Sequence, residues 1–491
     1  MTPTGLYERV LAAAGGALPA PRPPRASSAV VLWRRHGGAL EVYWIRRGRA
    51  LPFMGGWQAF PGGAVERADA AVALVGEPFH PRPARATSPS PEILDPAEPD
   101  LAPGVVAAAL REVEEEIGIR LAADRLTFAG RWLTPPFGAL RFDNRFFLVE
   151  WRETDGEPRP VPPESDHGEW IAPGAALGLV AAGEAFAAPP VVHLLRVLGE
   201  DGPERGSDRF LDTSEANLGP LRRIELRPGV LTFPQAAATL PPATHTNCFL
   251  LGGGEAVLVD PGSPFEEENR RLVRALAAAR DQLGREVVEI WLTHHHPDHV
   301  GGVEALRRAL GVPVAAHPAT AERLAEVGIA VDRALADRER RRLAGSPELE
   351  LVLRHTPGHA RGHLAIEILP GRDLIGGDLV AAFGTIVIDP PEGDMDDYLA
   401  SLESLRGRGY RTLFPSHGAP ILDVDGKLAE YVAHRLERER QVLERWRAGL
   451  RTPAALVPAV YPDVPEAVRP LAARQIVAHL DRLSRRGEID G

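Results

Sequence analysis

One heptapeptide, Thr293-His294-His295-His296-Pro297-Asp298-His299, constrains this chain more than any other segment. It follows the apolar run Val287 to Leu292, which reads as a strand, and precedes a Gly-Gly pair and the helical pattern Val303 to Leu310. A strand-to-helix turn lets alternate side chains converge on a point. The imidazoles of His294 and His296 then suit one zinc ion, and the carboxylate of Asp298 with the imidazole of His299 points to a second a few ångströms away. A solvated histidine loop would stand alone, whereas this one has counterparts downstream. They are His359 in His355-Thr-Pro-Gly-His359, Asp378 in Gly376-Gly-Asp378 at the end of an apolar strand, and His417 in Pro415-Ser-His417-Gly.

The chain has 491 residues, more than one hydrophobic core organises, so two or three domains are expected. Hydrophobic residues at 44% and charged residues at 25% are ordinary globular usage, which argues against a long disordered chain. A formal net charge of -11 argues against coating nucleic acid through bulk charge. The single cysteine, Cys248, excludes an intramolecular disulfide and a thiolate metal cluster. Neither a signal-peptide pattern nor a membrane-length apolar run is present, so a cytoplasmic protein without a membrane partner is expected.

Runs 29 to 33 and 41 to 45 read as strands around the turn His36-Gly37-Gly38, and a globular domain is placed at 26–200. Within it, about 67–103 is rich in Pro, Ala and Ser and reads as a surface excursion. A helix from 105 to 117 and a strand at 146 to 151 follow. The polar segment 201–221, with Glu200-Asp201-Gly202-Pro203 at its start, is expected to link this domain to a second at 222–420. The second opens with strands at 248 to 251 and 256 to 259 and then alternates helices and strands. A tail at 421–491 reads as helices alone: Leu428 to Trp446, a short helix announced by Thr452-Pro453, and one ending Leu480-Asp481-Arg482-Leu483. The final Arg486-Gly487-Glu488-Ile489 reads as a turn and short strand.

With Val259-Asp260-Pro-Gly, the histidine heptapeptide and the three later ligands in this order, the segment of about 224–420 resembles the metallo-β-lactamase superfamily. That resemblance implies an αββα sandwich, and the helical pattern of the tail that follows resembles a winged helix. It implies that His294, His296 and His359 hold one Zn2+ ion, that Asp298, His299 and His417 hold a second, and that Asp378 bridges both. A water between two zinc ions loses a proton near neutral pH and becomes the nucleophile, with Asp298 and Asp378 as the catalytic carboxylates. The family uses the Asp260 position to support the ligand turn. His295 occupies a variable position, and His245, His317, His355 and His363 read as supporting groups, His363 first among them. Arg361-Gly-His363, Gly393-Asp-Met-Asp-Asp-Tyr398 and Tyr410-Arg-Thr-Leu-Phe-Pro-Ser-His417-Gly resemble the endoribonuclease and acyl-carrier-protein thioesterase branches.

In the first domain, Phe60-Pro-Gly-Gly63 and Arg111-Glu112-Val-Glu-Glu115-Glu116-Ile-Gly118-Ile119 resemble the two ends of a Nudix box, here interrupted by the insertion. Trp132-Leu-Thr-Pro135 and Arg141-Phe-Asp-Asn-Arg-Phe-Phe147 resemble the coenzyme A diphosphatase branch. The resemblance implies an α/β/α fold in which Glu112, Glu115 and Glu116 gather Mg2+ or Mn2+ on one helix face, with Glu115 catalytic and Glu66 in reach. The whole chain is thus expected to be an α/β and α+β multidomain hydrolase. Its expected substrates are small molecules: a thioester such as an acyl-CoA for the second domain, a nucleotide or coenzyme A diphosphate for the first. Two alternatives stand beside this. The second domain is a zinc-dependent endoribonuclease whose tail holds single-stranded RNA, or the first is a catalytically silent ligand-binding module. Against the RNA reading, Arg435, Arg438, Arg440, Arg445 and Arg447 alternate with Glu437, Glu439 and Glu444, as on a salt-bridged solvent face.

Overall fold

A computed structural model describes residues 23–51, 54–69, 72, 103–134, 140–205, 207–211, 224–240, 243–464, 466 and 469–490. Nearly all of the expected 67–103 excursion lies outside these residues, as does Pro135. The described chain divides into two compact units, one ending at Pro228 and one beginning at Gly229.

The first unit is built on a hairpin of Arg25–His36 and Ala39–Arg47, closed by Gly37 and Gly38 at φ 57° and 83°. Positive φ at both central residues gives a turn whose twist matches the strands, and glycine adopts it without strain. Among the described residues this sheet has seven strands; Arg25–His36 pairs in parallel with Phe142–Glu150, and Ser165–Ile171 extends the far side of Ala39–Arg47. Because successive side chains face opposite ways, Val30 and Leu32 pack with Val106, Ala109, Val113 and Ile117 of the helix Pro103–Ile117. Val31 and Trp44 pack on the other face with Leu194, Leu195 and Leu198 of the helix Pro189–Arg205. The result is the expected α/β/α arrangement.

Within the expected linker 201–221, residues 201–205 and 207–211 are helical, while 206 and 212–221 lie outside the described residues. Pro189–Arg205 continues across a kink at Gly202 (φ 76°), and Ser207–Leu211 is helical again. The polar Gly-Pro composition marks a bend in a helix here, since proline is tolerated in a first turn beyond such a break.

The second unit is a sandwich. One sheet runs in the order Arg333–Ala334, Val314–Ala316, Glu286–Leu292, Glu255–Val259, His245–Leu251, Val230–Ala236. The second has five strands among the described residues, in the order Arg340–Leu343, Leu349–His355, Leu364–Leu369, Asp373–Gly377, Thr412–Pro415. Central strands such as Glu255–Val259, all buried beyond their first residue, are covered on both faces, which is why they read as unbroken apolar runs. Phe249 of one sheet meets Phe414 of the other edge to face, with ring centroids 6.2 Å apart. The helix Met395–Leu405 and the first part of Val424–Arg447 cover the outer face of the second sheet through Tyr398, Leu402, Leu428 and Tyr431.

Beyond the sandwich, Val424–Arg447, Pro453–Val460 and Arg469–Arg485 close a small core around Val442, Leu456, Val460, Ile476 and Leu483. Thr452 caps the middle helix, its hydroxyl accepting from the Ala455 N–H, with Pro453 in the first turn as the dipeptide predicts. The short strand expected after Arg485 is absent among the described residues. Gly487 (φ 68°) instead ends the last helix, and the Glu488 N–H turns back to the Leu483 carbonyl. No described helix is long and apolar enough to cross a membrane.

Candidate metal centre

The strand Glu286–Leu292 delivers Thr293 and His294 to the mouth of the sandwich, and His296 stands just before the short helix Pro297–Val300, with Pro297 in its first turn. Asp260, directly after Glu255–Val259, takes a left-handed φ of 51° that turns its carboxylate under this loop. The same turn is held close by Gly262, where a Cβ would stand 1.8 Å from the Asp298 carbonyl oxygen. Only glycine fits there.

Each buried imidazole is oriented by a bond on the nitrogen that faces away from the site. Asp260 accepts from the Thr293 N–H at 2.8 Å, from the Thr293 hydroxyl at 2.6 Å and from His299 Nδ1 at 2.8 Å. The Thr293 hydroxyl lies 3.0 Å from His294 Nδ1. His359 Nδ1 donates to the Val387 carbonyl at 2.7 Å, and His417 Nδ1 to the His245 carbonyl at 3.0 Å. Holding a proton on Nδ1 leaves the Nε2 lone pair directed inward, the usual arrangement of a metal-ligating histidine. His296 is the exception, meeting His294 Nε2 through its Nδ1 at 3.0 Å.

Three groups of potential ligand atoms result, each within 4.8 Å: His294, His296 and His359; Asp298, His299 and His417; and His294, His299 and Asp378. Asp378 stands between the first two. Its Oδ1 lies 3.4 Å from both His299 Nε2 and His417 Nε2, and its Oδ2 lies 3.5 Å from His359 Nε2. Both oxygens of Asp298, Oδ1 of Asp378, and Nε2 of His299 and His359 are buried without a hydrogen-bond partner. Unpartnered buried polar atoms are costly, and a cluster of them aimed at one point fits a site completed by cations.

His363 is fully buried and serves the centre indirectly. Its Nε2 accepts from the Asp378 N–H at 3.0 Å and its Nδ1 meets the Thr356 hydroxyl at 2.8 Å, so it pins the backbone of Asp378. Burial pushes it down to about 3, so it accepts as the neutral ring. Gly377 (φ 53°) permits the approach, since a Cβ there would come within 2.4 Å of His363 Nε2. His295, His317 and His355 belong to none of the three groups, and His317 and His355 stack on each other at 4.3 Å.

The charges sort the two ends of the centre. Burial, together with neighbouring imidazoles, pushes His294 and His296 well below the usual histidine range, and burial also lowers His359. Burial opposes protonation of His299 and His417 too, but the carboxylates of Asp378 and Asp298 outweigh it and raise both. Those same rings hold Asp378 well below the usual carboxylate range against its own burial. One end is a set of neutral nitrogen donors, the other a mixed imidazole and carboxylate set.

In the first unit, the helix Pro103–Ile117 carries the acidic run. Glu112 and Glu116 are buried, and they group with the exposed Glu164 within 4.8 Å. The Gly62 N–H donates to Glu116 Oε2 at 2.8 Å, and at Gly63 a Cβ would stand 2.2 Å from Glu112 Oε1. The glycine turn and the acidic helix, distant in sequence, therefore meet. Glu115 does not join them. Its side chain is 54% exposed and paired with Arg111 at 2.8 Å, while Arg111 also holds Glu112 at 2.9 Å and Asp69 at 3.0 Å. At about 100° per residue, Glu116 projects about 40° from Glu112 and Glu115 about 60° the other way, which separates residues expected on one face. Glu66 is also outside the group, and Glu164, next to the Pro162-Pro163 pair on a loop, had no spacing to reveal it. Burial raises Glu112, and raises Glu116 to about 7.

An αββα sandwich with a buried mouth of imidazoles and carboxylates defines a class of hydrolases whose fold implies divalent-metal binding. Residues 241–417 match the metallo-beta-lactamase superfamily, 452–490 the beta-lactamase associated winged helix domain, and 99–195 the NUDIX domain. The chain is therefore a hydrolase that joins a NUDIX domain to a metallo-β-lactamase domain with a winged-helix tail. It is 29% identical over 256 residues to a beta-lactamase-like protein 2 homolog of Drosophila melanogaster, covering 50% of this chain and 84% of that protein. It is 28% identical over 237 residues to an atrochrysone carboxyl ACP thioesterase of Aspergillus chevalieri, covering 45% of this chain and 70% of that one. A NUDIX hydrolase structure from Alicyclobacillus acidocaldarius is 27% identical, covering 36% of this chain and 91% of its own, with a TM-score of 0.30.

Proposed function

We propose that the second unit is a dinuclear zinc hydrolase acting on a thioester such as an acyl-CoA. The observation that carries the dinuclear reading is Asp378, whose two oxygens face different imidazole groups. His294, His296 and His359 would hold one ion, Asp298, His299 and His417 the other, and Asp378 both. When bound, such a pair supplies acidity to a water and a sink for the charge developing on the substrate oxygen. The chain's own part is to aim and hold. Asp260 and Thr293 fix the rings of His299 and His294, His363 fixes the backbone of Asp378, and Asp298 accepts a proton from the attacking water. The water oxygen forms the new bond to the carbonyl carbon, the C–S bond breaks, and the proton taken up by Asp298 passes to the leaving thiolate.

The thioester class rests on the relative named a thioesterase and on the neighbouring NUDIX domain, since diphosphate and thioester chemistry meet in acyl-coenzyme A. A track for RNA is not favoured by the tail, where Arg440 is paired with Glu437 and Glu444 and Arg435 is buried. For the first unit we propose Mg2+ or Mn2+ at Glu112, Glu116 and Glu164, and cleavage of a coenzyme A or nucleotide-linked diphosphate. A turnover panel of acyl-coenzyme A, hydroxyacyl-glutathione, coenzyme A and short RNA, with zinc analysis of the same preparation, tests both readings. About two zinc ions per chain and thioester turnover are expected. A stoichiometry near zero at neutral pH would overturn the metal assignment, and RNA cleavage without thioester turnover would overturn the substrate class.

A further inference from the structure

The segment Ile386-Val387-Ile388 runs between the metal centre and the C-terminal tail with no helix or strand of its own. Its carbonyls are nonetheless all engaged, on alternating sides. The Val387 carbonyl accepts from His359 Nδ1 at 2.7 Å. The Ile386 carbonyl accepts from Arg435 Nη2, and the Ile388 carbonyl from Gln475 Nε2 at 3.3 Å, while Arg435 Nη1 donates to Gln475 Oε1 at 3.0 Å. Arg435 lies on the helix Val424–Arg447 and Gln475 on Arg469–Arg485, so both tail helices meet at this strand-like segment. Arg474 of the second helix also reaches Asp389 and the Pro390 carbonyl.

The cost of this contact is unusual. Arg435 is 1% exposed, and a guanidinium is among the groups least often fully buried. Glu439, one turn further along the same helix, is taken by Arg482. What Arg435 meets is the Ile386 carbonyl, the Gln475 amide and the face of the Tyr398 ring, 5.3 Å from its centroid. Tyr398 in turn packs its backbone against Gly358, the residue before His359, where a Cβ would come within 2.2 Å. A buried charge spent on backbone carbonyls sets where those carbonyls stand.

We infer that Arg435 and Gln475 are positioning residues for the metal centre. By fixing the carbonyls on either side of Val387, they set the Val387 carbonyl that holds the proton on His359 Nδ1 and turns Nε2 toward Asp378. The tail thereby acts on the ligand set from behind, without touching it. This rests on reading His359 as a ligand.

The test uses the full chain and two variants, Gln475→Leu and Arg435→Met, with Arg435→Lys as the conservative partner and Arg440→Ala as a control on the exposed face of the same helix. Zinc affinity is measured by chelator competition, and the His359 tautomer of the metal-free protein by nitrogen NMR of labelled imidazoles. The wild type should show two bound ions and His359 protonated on Nδ1. Gln475→Leu and Arg435→Met should weaken one of the two ions about 10- to 100-fold, leave the other within about threefold, and give mixed His359 tautomers. Arg435→Lys should recover most of the loss, and Arg440→Ala should change nothing. If Arg435→Met does not fold, Gln475→Leu decides. Two ions in the wild type with unchanged affinity and tautomer in a folded Gln475→Leu would overturn the inference alone. A wild type that holds no zinc would overturn the ligand reading and this inference with it.

Discussion

The two clusters proposed to hold cations are built by opposite means. In the second unit the rings of His294, His299, His359 and His417 are each aimed by a contact on the far nitrogen, and Asp298, His299 and Asp378 keep buried atoms unpartnered. In the first unit Glu112 and Glu116 meet an exposed Glu164, and Arg111 already engages Glu112. Imidazole binds along one lone-pair direction, so a zinc site of this kind depends on prior orientation. Magnesium keeps several waters in its octahedral shell and needs only one or two carboxylates, so fewer protein atoms have to be placed. Damage to orientation should therefore cost more in the second unit than in the first.

The largest expected effect is Asp378→Ala, which removes the carboxylate common to both ends of the centre. Thioester turnover should fall by several orders of magnitude while magnesium-dependent diphosphate cleavage is unchanged. Assaying both reactions on one preparation checks it, and joint loss with a normal circular dichroism spectrum would mean that the two sites are not independent. Next is Asp260→Asn, which keeps the shape but turns one acceptor oxygen into a donor facing either Thr293 or His299. Zinc affinity should drop about 10- to 100-fold by chelator competition, although Asp260 belongs to none of the three ligand groups.

In the first unit, Glu116→Gln and Glu164→Gln should each lower magnesium-dependent diphosphate cleavage by at least about tenfold, whereas Glu115→Gln should stay within about threefold. Metal titration of the rate separates loss of binding from loss of turnover. Equal losses at Glu115 and Glu116 would show that Glu115 swings away from Arg111 to join the ion, and the contrast between the units would narrow.

What could be read beforehand differs between the sites for a physical reason. The histidine heptapeptide lies on one strand-to-helix turn, so local spacing already placed His294, His296, Asp298 and His299, and the apolar strands before Asp260 and Asp378 marked their ends. The bonds that aim these rings were not legible, because the Val387 and His245 carbonyls carry no side-chain signal. In the acidic helix the run was visible but its register was not resolved: Glu112 and Glu116 turn inward beneath Gly62 and Gly63, and Glu115 turns toward Arg111. Glu164 arrives from a loop and could be found only in three dimensions. The helix kink at Gly202 hid in a composition that reads equally well as a linker.

The smallest expected effect concerns stability without added metal. Burial raises Glu116 from 4.5 to about 7, with nearby Glu112 adding to it and the Gly62 N–H opposing it. The folded state thus favours the protonated acid over the unfolded state's carboxylate. No penalty is felt below pH 4.5; it grows as pH rises and is complete above about 7, where ionised Glu116 destabilises the fold. Glutamine keeps an oxygen for the Gly62 N–H and cannot ionise. The variant should match the wild type near pH 4.5 and exceed it above pH 7 by on the order of 2 kcal/mol. Urea unfolding followed by tryptophan fluorescence reads this out, since Trp33, Trp44, Trp57, Trp132, Trp151 and Trp170 all lie in the first unit. Saturating magnesium should reverse the order, because an ion bound only to the folded wild type adds stability that the variant lacks. A variant less stable than wild type at every pH in metal-free buffer would mean that Glu116 is held ionised by its neighbours, and the first unit would then resemble the second in carrying its charge ready-made.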